Sequence, residues 1–119
     1  MTDETVVIVD GENVRRSAWP NVSRDDLVAL VARWAARTDV RPIVVFDGDA
    51  PDGAVGSGSE SADDWIAREA RRLPRVWLVT SDRELRKRAG RTAARVVGGG
   101  SFLRELRAVA AEDSGPSGR

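Results

Sequence analysis

The sequence predicts an α/β domain built on a parallel sheet with helices on both faces. Three observations carry that expectation. Apolar runs of strand length recur at 5–9 (Thr-Val-Val-Ile-Val), 43–46 (Ile-Val-Val-Phe) and 76–79 (Val-Trp-Leu-Val). Each is continuous rather than alternating, the pattern of strands covered on both faces. Helix-length amphipathic segments separate them, and right-handed crossovers turn the resulting β-α-β-α-β-α-β-α order into a single parallel sheet.

Taken in order, the first strand (5–9) ends at Asp10-Gly11, and residues 10–22 read as a loop closed by Trp19-Pro20-Asn21. Ser23 is an N-cap with Asp26 three residues on, and Leu27, Leu30, Val31 and Trp34 follow at helical spacing, so 24–37 is an amphipathic helix. The second strand, 43–46, leads into 47–60, a stretch rich in Gly, Ser and Asp that reads as a flexible loop. Ser61 caps the next helix, whose apolar side is marked by Trp65, Ile66, Ala70 and Leu73, with Pro74 just past its end. After the third strand, Thr80 or Ser81 caps a short helix that stops at Gly90. Ala94–Val97 is a weak fourth strand, and about 102–112 form a last helix with Phe102, Leu103, Leu106 and Val109 inward. Trp34, Trp65 and Trp77 are expected in the core.

With 119 residues, the length fits one domain, expected over 1–112, followed by a tail (113–119) of disordered composition. No apolar run approaches the roughly 20 residues a membrane span needs, so no membrane role is expected. The acidic start, Met-Thr-Asp-Glu-Thr, does not have the form of a secretory signal. The absence of cysteine rules out thiolate chemistry and fits a reducing, cytoplasmic compartment. The absence of histidine removes the commonest general base and the commonest transition-metal ligand, which leaves carboxylates, hydroxyls, Arg and the single Lys87. Net charge is zero, but residues 60–100 carry ten basic and six acidic side chains while residues 1–59 carry six and ten. The excess is almost all arginine, the better bidentate phosphate partner; a GC-rich genome would produce the same bias.

If the first strand is central, the strand order is 2-1-3-4, and the switch point falls between the first and third strands. Asp10 and Asp82 follow those two strands, side by side at the carboxyl edge where open α/β sheets bind ligands. Asp63 and Asp64 open a helix that leaves the long loop at the same edge. Capping and turn chemistry explain each acid separately but do not predict two of them flanking the switch point. A convergent acidic cluster suits a hard cation, Mg²⁺ or Mn²⁺. Asn13 could hold the Asp10 loop or contact a phosphate, and Glu12 is a weaker candidate. Asp47 and Asp49 are peripheral candidates at the end of the second strand.

The residues at these positions also resemble a known family. Val-Asp-Gly-Glu-Asn (9–13) and Ala-Trp-Pro (18–20) are similar to the Val-Asp-Gly-Tyr-Asn…Ala-Trp-Pro opening of YacP-like NYN-domain proteins, a subgroup of the PIN-like nuclease superfamily. Val-Val-Phe-Asp (44–47), Glu-Ser-Ala-Asp-Asp (60–64), Val-Thr-Ser-Asp (79–82) and Ser-Phe-Leu-Arg-Glu-Leu (101–106) resemble the family's later motifs in order. Glu12 stands where those proteins usually have an aromatic. The resemblance implies a PIN-like three-layer α/β/α sandwich with a central parallel sheet of four strands. It also implies a divalent-metal-dependent ribonuclease. Asp10, Asp63 and Asp82 fall on the acidic positions, with Asp64 and Asn13 beside them.

The leading expectation is an endoribonuclease in which Asp10, Asp63 and Asp82 hold Mg²⁺ or Mn²⁺ directly or through waters and a carboxylate such as Asp64 assists activation. Arg83, Arg86, Lys87 and Arg91 would contact the RNA backbone and Trp19 would stack on a base. The expected partner is RNA, messenger or ribosome-associated, and the sequence does not specify an oligomeric state. A rival is a binding module of the same fold without turnover, to which the short Gly-Ser-Gly-Ser loop lends support. A haloacid-dehalogenase-type phosphatase, suggested by Phe-Asp-Gly-Asp (46–49), has its motifs in the wrong order here.

Overall fold

A computed structural model of the chain describes residues 4–113. Five parallel strands form one sheet in the order β3-β2-β1-β4-β5. They are β1 (Val6–Asp10), β2 (Arg41–Phe46), β3 (Val55–Gly56), β4 (Val76–Val79) and β5 (Arg95–Val97). The four expected strands and their order are present as β2-β1-β4-β5. The expected count of four is corrected to five, because Val55-Gly56 pairs with Val45 and Phe46. Two residues are too few to give a periodic signal in the sequence.

Strand β1 is central, and all five of its residues are buried. Its alternate side chains face two cores, as the two-residue strand period demands. Val7 and Val9 pack with Val44, Phe46 and Val79 beneath α1 (Gly11–Arg15), α2 (Arg24–Thr38) and α5 (Gly99–Asp113). Val6 and Ile8 pack with Val45 and Leu78 beneath α3 (Ala62–Arg72) and α4 (Arg83–Ala89). Each fully buried aliphatic side chain contributes about 1.5–3 kcal/mol, so β1 is the element that both layers depend on.

Helices α2 and α3 begin as expected: the Ser23 and Ser61 hydroxyls accept from the Asp26 and Asp64 N–H groups at 3.1 and 3.0 Å. Helix α2 buries Leu27, Val31, Trp34 and Ala35. Trp34 meets Phe102 edge-on at 4.9 Å and donates its indole N–H to Glu105 at 2.6 Å. Trp65 and Trp77 are only half-buried, and Arg95 covers the Trp77 ring at 4.8 Å.

Three expectations need correcting. Residues 11–15 form a short helix rather than a loop. Helix α5 starts at Gly99, earlier than expected, because Gly99 and Gly100 are helical. The 47–60 segment is tied down rather than free: the Ser57 N–H donates to Phe46 O at 2.9 Å and the Gly58 N–H to Gly48 O at 3.1 Å. The buried Ser57 hydroxyl donates to Glu60 O at 2.7 Å. Of the tail expected over 113–119, Asp113 ends α5 and the rest lies outside the described residues. Among the described residues no helix is long and apolar enough to cross a membrane.

Gly11 marks the tightest point beside the end of β1. A Cβ there would fall 2.7 Å from Phe46 Cδ1 and closer still to Cε1. Phe46 is fully buried and cannot swing into solvent. Gly11→Ala is therefore expected to cost about 1–3 kcal/mol through overpacking, read as a lowered urea midpoint at unchanged slope. A midpoint equal to that of the parent would show that the ring has room to move.

Candidate functional site

The carboxyl edge of the sheet gathers the acids. Asp10 ends β1 and is 7% exposed. Thr80, fully buried at the end of the neighbouring β4, donates its hydroxyl to Asp10 Oδ2 at 2.8 Å. The same hydroxyl oxygen accepts the Asp82 N–H at 3.1 Å, so one buried group ties the end of β1 to the start of α4. Asp82 Oδ1 in turn accepts the Leu85 N–H at 3.1 Å. The cap of α4 is therefore Asp82 rather than Thr80 or Ser81, because the Thr80 hydroxyl is committed to Asp10.

Asn13 braces this arrangement from α1. Its Oδ1 accepts the Ser81 N–H at 2.8 Å, and the Ser81 hydroxyl accepts the Gly99 N–H at 2.8 Å. Gly99 lies so close to Asn13 that a Cβ would sit 2.5 Å from Oδ1, which explains a glycine in the first turn of α5. Of the two roles expected for Asn13, holding the loop is the one its contacts support. Arg86 Nε donates to Thr80 O at 2.9 Å, so it fastens the same corner.

Asp63 reaches the edge through Asp47. The Ala62 N–H donates to Asp47 Oδ1 at 2.7 Å, which anchors the start of α3 to the end of β2. A cleft of about 410 Å³ is lined by Asp10, Glu12, Asn13, Arg16, Ser17, Asp47, Ala62, Asp63, Ser81 and Asp82. Asp10, Asp63 and Asp82 thus share one cleft, with Asp47 as a rim and positioning residue. Asp64 does not line it. Its exposed carboxylate accepts from Arg88 at 2.8 Å, so it is not positioned for the assisting role expected of it. Asp49 also lies outside, offering only its backbone oxygen to Arg24 at 3.3 Å.

The electrostatics are those of crowded carboxylates. Burial, opposed by the Thr80 hydrogen bond and reinforced by the charges of Asp63 and Asp82, pushes Asp10 from 3.8 up to about 6. Asp63 is also raised, first by burial and then by the charges of Asp82 and Asp47. Asp64 is lowered by its hydrogen bond from Arg88. The donors are all oxygen, the chemistry of a hard cation. Among the described residues, however, no three acidic side chains are arranged as a direct ligand set for one metal ion.

The expected RNA-contacting residues divide. Arg83 and Lys87 are exposed on α4 but do not line the cleft. Arg86 is held by Thr80 O. Arg91 follows α4, where the nearby Ala94 N–H donates to Val76 O at the start of β4. It therefore stands near the amino edge, away from the acids. Trp19 is 89% exposed on the loop after α1. Sequence reasoning missed Thr80 as the link between Asp10 and Asp82, and it missed Arg16 and Ser17. Its place in the Val-Thr-Ser-Asp stretch suggests a cap, and a hydroxyl at a strand end does not disclose its partner across the sheet.

Comparisons with known proteins agree with the fold. The YacP-like NYN domain family matches residues 7–115. A crystal structure of a mutant of Rae1 (YacP) from Bacillus subtilis is similar at a TM-score of 0.74 and 26% identity, covering 93% of this chain and 79% of that one. A second crystal structure of Rae1 (YacP) from Bacillus subtilis has a TM-score of 0.69 at 23% identity, covering 92% and 77%, and supports the fold. No curated protein matches the sequence.

Two outcomes follow from the buried acid. Below pH 3.8 Asp10 is protonated whether folded or unfolded. Between 3.8 and about 6 the unfolded chain gives up that proton while the folded one keeps it. Stability therefore falls as pH rises through that window and levels off above it. Asp10→Asn is expected to flatten this fall and to stabilise the metal-free protein at pH 7.5 by on the order of 1–3 kcal/mol. Equal pH–stability curves for the two proteins would contradict the assignment. Thr80→Val strands Asp10 Oδ2 and the Asp82 N–H and is expected to cost about 1–3 kcal/mol, whereas Thr80→Ser retains most of that stability. Denaturant melts that do not separate Val from Ser would remove the hydroxyl from this role.

Proposed function

The chain belongs to the YacP-like NYN domain family, and from that premise we propose that it is a divalent-metal-dependent endoribonuclease that hydrolyses RNA phosphodiester bonds at the acidic cleft. The observation that carries the reading is the meeting of Asp10, Asp63 and Asp82 at one cleft, with Asp10 and Asp63 raised partly by neighbouring carboxylates. Like charges gathered in one cleft are costly, and a bound cation relieves that cost.

The residues fit Mg²⁺ or Mn²⁺ by donor chemistry. Asp10, Asp63 and Asp82 would hold the ion, directly or through waters, as Mg²⁺ commonly keeps several waters. When bound, the ion supplies a water of lowered pKa and a counter-charge for the phosphate. The chain's own groups set the geometry. Thr80 holds Asp10 in one orientation, Asp47 holds the start of α3 and with it Asp63, and Asn13 holds the Ser81 backbone beside Asp82. With no histidine in the chain, a carboxylate of the cleft takes up the proton of the attacking water. Trp19 is free to stack on a base, and Arg83 and Lys87 extend a basic face along α4. The RNA could be messenger or ribosome-bound.

A second reading is a module that binds RNA without cutting it, and the lack of a direct ligand triad favours it. Cleavage of a mixed RNA in Mg²⁺ or Mn²⁺ by the parent and by Asp82→Asn separates the two. Asparagine caps a helix as well as aspartate, so the fold survives. Activity is expected to drop about 10²-fold or more, the scale of removing one electrostatic group from an active site. Equal, metal-independent activity in both proteins would sink the proposal, and binding without cleavage in either metal would establish the module.

A further inference from the structure

Arg16 is the only cationic side chain among the described residues lining the acidic cleft, whose acids are Asp10, Glu12, Asp47, Asp63 and Asp82. An RNA phosphate entering this cleft meets five acidic residues, the neutral Asn13, Ser17, Ala62 and Ser81, and that one cation. Glu12 gathers three arginines: Arg15 Nε at 3.1 Å, Arg16 Nε at 3.1 Å and Arg24 Nη2 at 3.0 Å. Two of the three are committed elsewhere. Arg15 Nη1 donates to Val22 O at 3.3 Å. Arg24 Nη1 donates to Asp49 O at 3.3 Å, and its guanidinium lies 4.9 Å over the Phe46 ring. Arg16 is different. Its side chain is 64% exposed and is paired through Nε, which leaves both terminal nitrogens outside that pair.

We propose that Arg16, braced by Glu12, is the residue that grips an RNA phosphate in the cleft. The proposal rests on the nuclease reading for the identity of the ligand. A planar guanidinium held at Nε presents its two terminal nitrogens as a fork, the geometry that suits phosphate oxygens. Glu12 has a second effect: its charge keeps three neighbouring guanidinium groups together in one fan. An ordinary exposed ion pair would be worth only about 0–1 kcal/mol and would place no demand on RNA. The two descriptions therefore differ in what they expect of RNA binding, not of stability.

The test is the salt dependence of single-stranded RNA binding, measured by anisotropy with a labelled oligouridylate in the Asp82→Asn background. Removing one phosphate contact makes the log–log slope shallower by about 0.7, so R16A is expected to show that loss. R16K keeps the charge and is expected to keep the slope while binding several-fold more weakly. E12Q leaves all three arginines in place but loosens the fan; it is expected to keep the slope and weaken binding. An R16A slope equal to the background protein's overturns the proposal, and unchanged affinity in E12Q overturns the brace. Thermal melts of each variant exclude unfolding as the cause. If the parent cleaves RNA but R16A leaves the slope alone, the phosphate grip fails and the nuclease reading stands. If the parent never cleaves RNA yet the slope shifts, the nuclease reading fails and the grip stands. A parent chain that binds no RNA overturns both.

Discussion

The hydrogen bond from Thr80 Oγ1 to Asp10 Oδ2 crosses from β4 to β1 at the centre of the sheet, and much of the candidate site is arranged around it. Asp10 is buried because β1 is covered on both faces. A buried carboxylate without a partner is costly, and in this chain the first partner is a single hydroxyl. That hydroxyl also receives the Asp82 N–H, so the geometry that makes Asp10 tolerable also sets where α4 begins. Asn13, Ser81 and Gly99 then lock α1 and α5 to the same corner.

The site is organised by opposed tendencies. Burial raises Asp10, and the neighbouring acids raise it further, while one hydroxyl and a backbone N–H from Asn13 pull it down. The result is a carboxyl poised near neutrality rather than a stable ion pair. Nearby acids with a structural task are instead satisfied by the protein. Glu12 is surrounded by arginines, and although burial pushes it up, Arg15 and Arg24 hold it below the usual range. Asp64 is matched by Arg88. Among the described residues, Glu12 and Asp64 are ion-paired with arginines, whereas Asp10, Asp63 and Asp82 form no salt bridge.

The parallel sheet, the strand order and the location of Asp10 and Asp82 were legible because they follow from long-wavelength patterns: continuous apolar runs, helical spacing and the handedness of crossovers. The path that brings Asp63 to the edge was the least secure step from sequence, since a Gly- and Ser-rich stretch carries no periodicity. It is made by Asp47 accepting the Ala62 N–H and by the two-residue strand β3. Arg91 was grouped with Arg83 by proximity in sequence, but a helix running back across the sheet carries the two toward opposite edges. Asp63 and Asp64 are equivalent as first-turn acids, the resemblance alone prefers Asp63, and the orientation of α3 supplies the physical distinction.

By itself, the sequence determined the class of fold, the order of the four longer strands and the edge at which acids collect, because these depend on residue types averaged over whole elements. Tertiary structure decided which acids share a cleft, which hydroxyl holds Asp10 and which arginine lines the cleft. Those outcomes depend on contacts such as Thr80 with Asp10, 70 residues apart in the chain, and on side-chain directions that a one-dimensional pattern does not encode.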